Sequence, residues 1–167
     1  MDLIKDNMKL FMEYKVVNWH EHVLIDEKDG LDVKDCDMLV ESACSTFMDN
    51  LVCSLPVTQG NPTPDDVKKC NDIVAIAMRR HPGMIKGLAF INPGYVKETL
   101  FEIDRCINDL GMIGVKLYNQ YLISDPVVRS VIEKCINYTD EFNSSSSSSL
   151  CPLYFIDHLF NRFPDVI

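Results

Sequence analysis

Two histidines one residue apart, His20 and His22, stand near the end of an apolar run that begins at Tyr14 and includes Val16, Val17 and Trp19. β-Branched and aromatic residues in such a run predict a strand over Tyr14 to Val23. Alternate side chains of a strand share a face, so both imidazoles point one way and Glu21 points the other, toward covering helices. Two neutral imidazoles converging at a strand end suit a divalent metal ion, with zinc the first choice. His-x-His is a short pattern, however, and a chance pair of partly buried histidines is the competing reading on these residues alone.

Other strand ends also carry polar residues. Asn92 follows an apolar run and is a candidate substrate-binding residue, and Asn119 lies just past another run. Lys116 interrupts Ile113-Gly114-Val115-Lys116-Leu117-Tyr118. Turned inward, it would bind a substrate carboxylate or touch the metal site. The alternative is that it snorkels outward at the strand end. His81, before Pro82, reads as a solvated residue in a C-terminal helical turn. His158, beside Asp157, reads as a surface helix position, or as a ligand if its segment is a strand. No Gly-x-Ser-x-Gly elbow and no partnered cysteine nucleophile is present.

The elements that would position these residues alternate in type. After the first strand, Leu39, Ala43 and Phe47 recur four apart and predict a helix over Asp37 to Asp49. Leu51 to Val57 is a second strand, closed by a Pro, Gly and Asn cluster. Thr63 is placed to cap a helix beginning at Pro64, with Asp65 and Asp66 in its first turn. Met84 to Ile91 is a third strand, and Val96 to Leu110 a third helix with Gly111 at its C-terminal cap. Ile113 to Tyr118 is a fourth strand, and Ser124-Asp125-Pro126 opens a fourth helix. Strand and helix alternating four times predict a parallel sheet covered by helices, either an open doubly wound sheet or a closed barrel. No Gly-rich phosphate loop follows the first strand, which argues against the nucleotide-binding version.

A net charge of −9 and a pI near 4.8 exclude a general binder of nucleic acid or anionic membrane. Seven cysteines in no C-x-x-C spacing, most on apolar stripes, read as buried reduced thiols in a cytoplasmic protein. No signal-peptide core and no membrane-length apolar stretch is seen. Ser144 to Ser149 are six consecutive serines, a flexible linker or a join where a fifth strand is due. Pro152 to Phe163 then reads as helical, and Asp165-Val166-Ile167 as the start of a strand.

Taken in order, several of these segments resemble the amidohydrolase superfamily, specifically the group that includes aminocarboxymuconate-semialdehyde-decarboxylase-like enzymes. They are Asn18-Trp19-His20-Glu21-His22, Asn71 in the helix ending at His81-Pro82, and Gly87-Leu88-Ala89-Phe90-Ile91-Asn92-Pro93. Glu102-Ile103-Asp104-Arg105, Leu110 to Tyr118 and Arg162-Phe163-Pro164-Asp165-Val166 complete the set. The resemblance implies an α/β fold of the (β/α)8 TIM-barrel family. It also implies a metal held by the His20 and His22 pair, a fifth-strand His and an eighth-strand Asp that serves as base. No residue here corresponds to the last two. A full barrel takes roughly 250 residues, so the chain, 1–167, is expected to be a single partial barrel of about four to five β/α units. The expected function is metal-dependent hydrolysis or a related decarboxylation of a small molecule, with homo-oligomer formation open. Its alternatives are a non-catalytic partial barrel acting in protein interaction and a flavodoxin-like domain.

Overall fold

The computed structural model describes residues 14–57 and 60–144. Along the chain run β1 (Val17–His22), α1 (Val33–Ser45), β2 (Asn50–Ser54), α2 (Pro64–Arg80), β3 (Ile85–Ile91) and α3 (Val96–Asp104). A π turn (Arg105–Asp109), β4 (Gly114–Leu117), a 3-10 turn (Pro126–Val128) and α4 (Arg129–Ser144) follow. Residues 145–149 of the serine run, Cys151, the helical reading around His158 and the strand start at Asp165 lie outside the described residues.

The four strands pair in parallel in the order β1-β2-β3-β4. A doubly wound sheet reverses direction at a switch point, so that β1 lies inside the sheet. Here each strand pairs with the next, which rejects the open and flavodoxin-like alternatives. The arrangement is a partial TIM barrel, four consecutive β/α units forming about half of one.

Register fixes which side chains face the helices. Gly87 is opposite Cys53, and a Cβ on Gly87 would meet Met78 and Val74 of α2 at 2.6 and 3.0 Å. Gly87, Ala89 and Ile91 therefore face outward and admit α2 to close contact. Cys53, Ile85, Ala89 and Ile91 join Val74, Ala77, Ile103 and Cys106 in one core between sheet and helices. The alternate residues Leu88 and Phe90 face inward and are buried, as is Val52 on β2.

Local chemistry explains the helix ends. Thr63 accepts from the Asp66 amide while Asp66 reaches back to the Thr63 amide, a capping box in front of Pro64. The first helix starts four residues earlier than its apolar spacing predicts, because the Asp32 side chain accepts from the Asp35 amide at 3.0 Å. It also ends earlier. Phe47 donates to Cys44 and Met48 donates to Ala43, the paired bonds of a Schellman end. Phe47 takes φ +59 there and is 72% exposed, so it terminates the helix instead of extending its stripe. The third helix is α-helical only to Asp104, then widens so that Leu110 donates to Arg105, before Gly111 takes φ +71.

One side chain substitutes for a missing strand neighbour. Even-numbered residues of β3 turn their backbone groups toward β2, as Leu51 donating to Met84 illustrates. In that register Phe90 would pair with the Leu55 carbonyl and the Val57 amide, both beyond the end of β2 at Ser54. Asn71 of α2 fills the gap: its Oδ1 accepts from the Phe90 amide at 2.8 Å and its Nδ2 donates to the Phe90 carbonyl at 3.0 Å. The same Nδ2 donates to Glu102 at 2.9 Å, and Glu102 and Asp72 share Arg105. Burial pushes the Glu102 carboxyl up, but the bonds from Arg105, Asn71 and Cys106 outweigh it and leave the carboxyl below its ordinary range.

His81 is not a freely solvated end residue. Its Nε2 lies 2.8 Å from Asp37 Oδ1, and Arg80 makes two bonds of 2.6 Å to the same carboxylate. Together they tie α2 to α1.

Two outcomes are expected. Phe47→Gly removes the left-handed strain of a bulky residue and raises unfolding free energy by about 1 kcal/mol in urea denaturation; unchanged or lower stability would contradict the strain. The Arg80 bonds, with His81 adding to them against slight desolvation, hold the Asp37 carboxyl down to about 2 from 3.8. A lowered folded-state pKa stabilises above the unfolded value and ceases to do so as pH falls through the folded one. Thermal melts should therefore lose stability from about pH 4 toward pH 2, less so in Asp37→Asn. Parallel pH profiles for the two proteins would refute the tie.

Candidate metal centre

His20 and His22 reach the same place. Their Nε2 atoms are 3.1 Å apart and their rings are edge-on, centroids 5.0 Å apart. The register of β1 slips between Asn18 and Glu21, so a local bulge helps to aim the pair. Glu21 does not join them. Its carboxylate folds back along β1, accepting from the His22 amide and from Asn18 Nδ2, each at 3.1 Å.

Neighbouring strands hold the two rings. His22 Nδ1 is 3.3 Å from both the carbonyl oxygen and the Oγ of buried Ser54, its register partner on β2. A carbonyl only accepts, so the ring proton belongs on Nδ1 and Nε2 is left with a bare lone pair. Burial lowers the His22 pKa, Lys116 and His20 lower it further, and the Ser54 bond only partly opposes them. The neutral form that ligates metal is thus the favoured one.

Lys116 takes the inward of its two readings. It is 4% exposed, lies opposite Phe90 in the register, and its Nζ is 3.0 Å from His20 Nε2. An ammonium only donates, so the His20 Nε2 lone pair points at Lys116 and at the His22 side together. The snorkelling alternative required an exposed strand end, and Lys116 does not occupy one.

The donor set fits a divalent ion in kind and falls short in number. Two imidazole lone pairs 3.1 Å apart repel unless something positive lies near them, and a catalytic zinc site usually takes three protein ligands. Among the described residues, no group of three or more His, Cys, Asp or Glu converges.

The Asn92 side chain bonds to the loops beside it. Its Nδ2 donates to Asn61 Oδ1 at 2.9 Å and to the Pro62 carbonyl at 2.8 Å, and its Oδ1 accepts from the Gly94 amide. These bonds lock the loops after β2 and β3 together. Asn92 also lines a cavity of about 270 Å³ between the starts of α2 and α3, with Val67, Tyr95, Phe101, Glu102 and Arg105. This cavity lies among the helices, without the histidine pair in its lining, and the half-buried Glu102 and Arg105 on its wall are paired with each other. Sequence spacing missed Ser54, although a Ser closing the apolar run Leu51-Val52-Cys53 was the available signal. It missed Tyr118 too: the inward ring stacks edge-on against Phe90 at 5.9 Å, and its hydroxyl donates to the Gly60 carbonyl.

The cysteines mostly behave as buried apolar groups, though Cys44 is exposed. Burial pushes the Cys53 thiol up to about 12 and the Cys70 and Cys135 thiols up to about 11, far from a reactive thiolate. No helix among the described residues is long and apolar enough to cross a membrane.

No family model matches the sequence and no curated protein matches it. Solved structures do. A Staphylococcus aureus protein assigned to the amidohydrolases superposes with a TM-score of 0.62 at 18% identity, over 82% of this chain and 53% of its own. 2,6-Dihydroxybenzoate decarboxylase from Rhizobium gives 0.61 at 17% identity, over 75% and 47%. A dihydroxybenzoic acid decarboxylase from Polaromonas sp. JS666, solved with manganese and the inhibitor 2-nitroresorcinol, gives 0.54 at 17% identity, over 72% and 47%. The chain spans about half the length of the structures it matches. These likenesses rest on backbone geometry, and the described residues share the fold of about half of those barrels.

Proposed function

We propose that this chain is part of a divalent-metal-dependent enzyme of the amidohydrolase superfamily, a hydrolase or a carboxy-lyase acting on a small molecule. The observation that carries this reading is the convergence of the His20 and His22 Nε2 atoms at 3.1 Å on β1, the end of the sheet at which barrel enzymes build their sites. His20 and His22 would hold the ion, and the remaining ligands and the base lie outside the described residues. Zinc suits the imidazole pair, and manganese in the Polaromonas decarboxylase supports a divalent ion more broadly. When bound, such an ion supplies Lewis-acid assistance to a water or a substrate oxygen.

The chain's own residues do the positioning. Ser54 fixes the His22 tautomer and ring plane. Lys116, buried beside the pair, would hold the carboxylate of a substrate. Asn71 and Asn92 keep the strand ends and loops around the site in place. The net charge of −9 and the inward-facing residues favour a small substrate over nucleic acid or an anionic membrane.

Zinc titration followed by calorimetry tests this. This 167-residue chain should bind zinc weakly, with no submicromolar site and no turnover. His22→Ala should lose more than the roughly tenfold in affinity that even an outer-shell change removes. Binding that ignores His20→Ala and His22→Ala contradicts the assignment, and a submicromolar site contradicts the need for further ligands.

A further inference from the structure

Lys116 stands where the ion's charge would be felt most. Its Nζ donates to His20 Nε2 at 3.0 Å, and that nitrogen is also the one turned toward His22 Nε2. A neutral imidazole nitrogen offers one lone pair in the ring plane. A donated ammonium proton and a metal ion compete for it. Lys116 is also buried at 4% exposure on an inward position of β4, opposite Phe90 in the register. It cannot give up His20 by rotating into bulk water, so its charge stays close to any ion that replaces it.

We propose that Lys116 acts as an internal competitor for the metal, holding the His20 lone pair and keeping the affinity of the site for a divalent ion low until an anion draws its ammonium away. The proposal rests on the metal reading above and adds its regulation. An ion and an anionic ligand would then favour each other: the anion neutralises Lys116, which frees His20 and removes the repulsion between two neighbouring cations. By reciprocity the anion would bind more tightly once the ion is present.

The chain labelled with 15N in its histidines tests this by NMR, with zinc as the probe. Without zinc, His20 should be protonated at Nδ1, with an Nε2 shift that moves in Lys116→Met and is retained in Lys116→Arg. On titration, Lys116→Met should bind zinc at least about tenfold more tightly than the natural chain, as expected from removing one nearby positive charge. Lys116→Arg should not. Lys116→Gln repeats the neutral substitution with a polar side chain should the methionine variant fold poorly. The His22 tautomer, held by Ser54, should be the same in all forms, which a general disturbance of the site would not preserve. Zinc affinity that is equal or lower in both neutral variants, while His20 and His22 still respond, overturns the competition and leaves the metal reading intact. Zinc that moves neither histidine in any form overturns both.

Discussion

Backbone pairing between parallel strands is the constraint on which the rest of this structure depends. Because side chains alternate and each strand is registered against the next, a single choice of face is imposed on all four strands. Gly87 must face α2, since nothing larger fits against Met78 and Val74. That one packing requirement sends Leu88 and Phe90 inward and places Lys116, the register partner of Phe90, inward with them. On the other side of β2 it sets His22 against Ser54. Residues almost a hundred positions apart, His20 and Lys116, meet at 3.0 Å as a consequence.

Holding that register at the strand ends takes polar side chains. Parallel strands of unequal length leave backbone groups without neighbours, and each unpaired buried group costs on the order of 1–3 kcal/mol. β2 stops at Ser54, and Asn71 supplies both bonds that Phe90 would otherwise lack. Asn92 performs the corresponding task for the loops that follow β2 and β3. Both asparagines are buried, and the described residues contain no buried side-chain polar atom without a partner. The cation of Arg105 is absorbed in the same way, between Glu102 and Asp72.

Features set by neighbours in sequence were legible before the structure. The period of two through His20 and His22, the cap at Thr63 with Pro64, and the alternation of strand and helix all follow from local rules. Features set by distant partners were not. The inward turn of Lys116 depends on Gly87 and α2, and the engagement of Asn92 depends on Asn61 and Pro62. Phe47 misled for a different reason: its spacing from Leu39 and Ala43 matches a helical stripe, whereas a non-glycine residue in left-handed geometry carries no signal in apolar spacing. Sheet order likewise had to come from the pairing, since an alternating pattern serves a barrel and an open sheet equally well.

On the proposed reading a divalent ion binds at His20 and His22 on the inward face of β1, beside Lys116 of β4. Manganese, added in small amounts to a uniformly 15N-labelled chain, probes this, because a bound paramagnetic ion broadens the NMR signals of the nuclei around it. Broadening should appear first at His20 and His22, then at Ser54 and Lys116, while the exposed Asp26, Asp29 and Asp65 are affected only at higher ion concentration. Broadening that begins at those exposed carboxylates and leaves His20 and His22 sharp would contradict it.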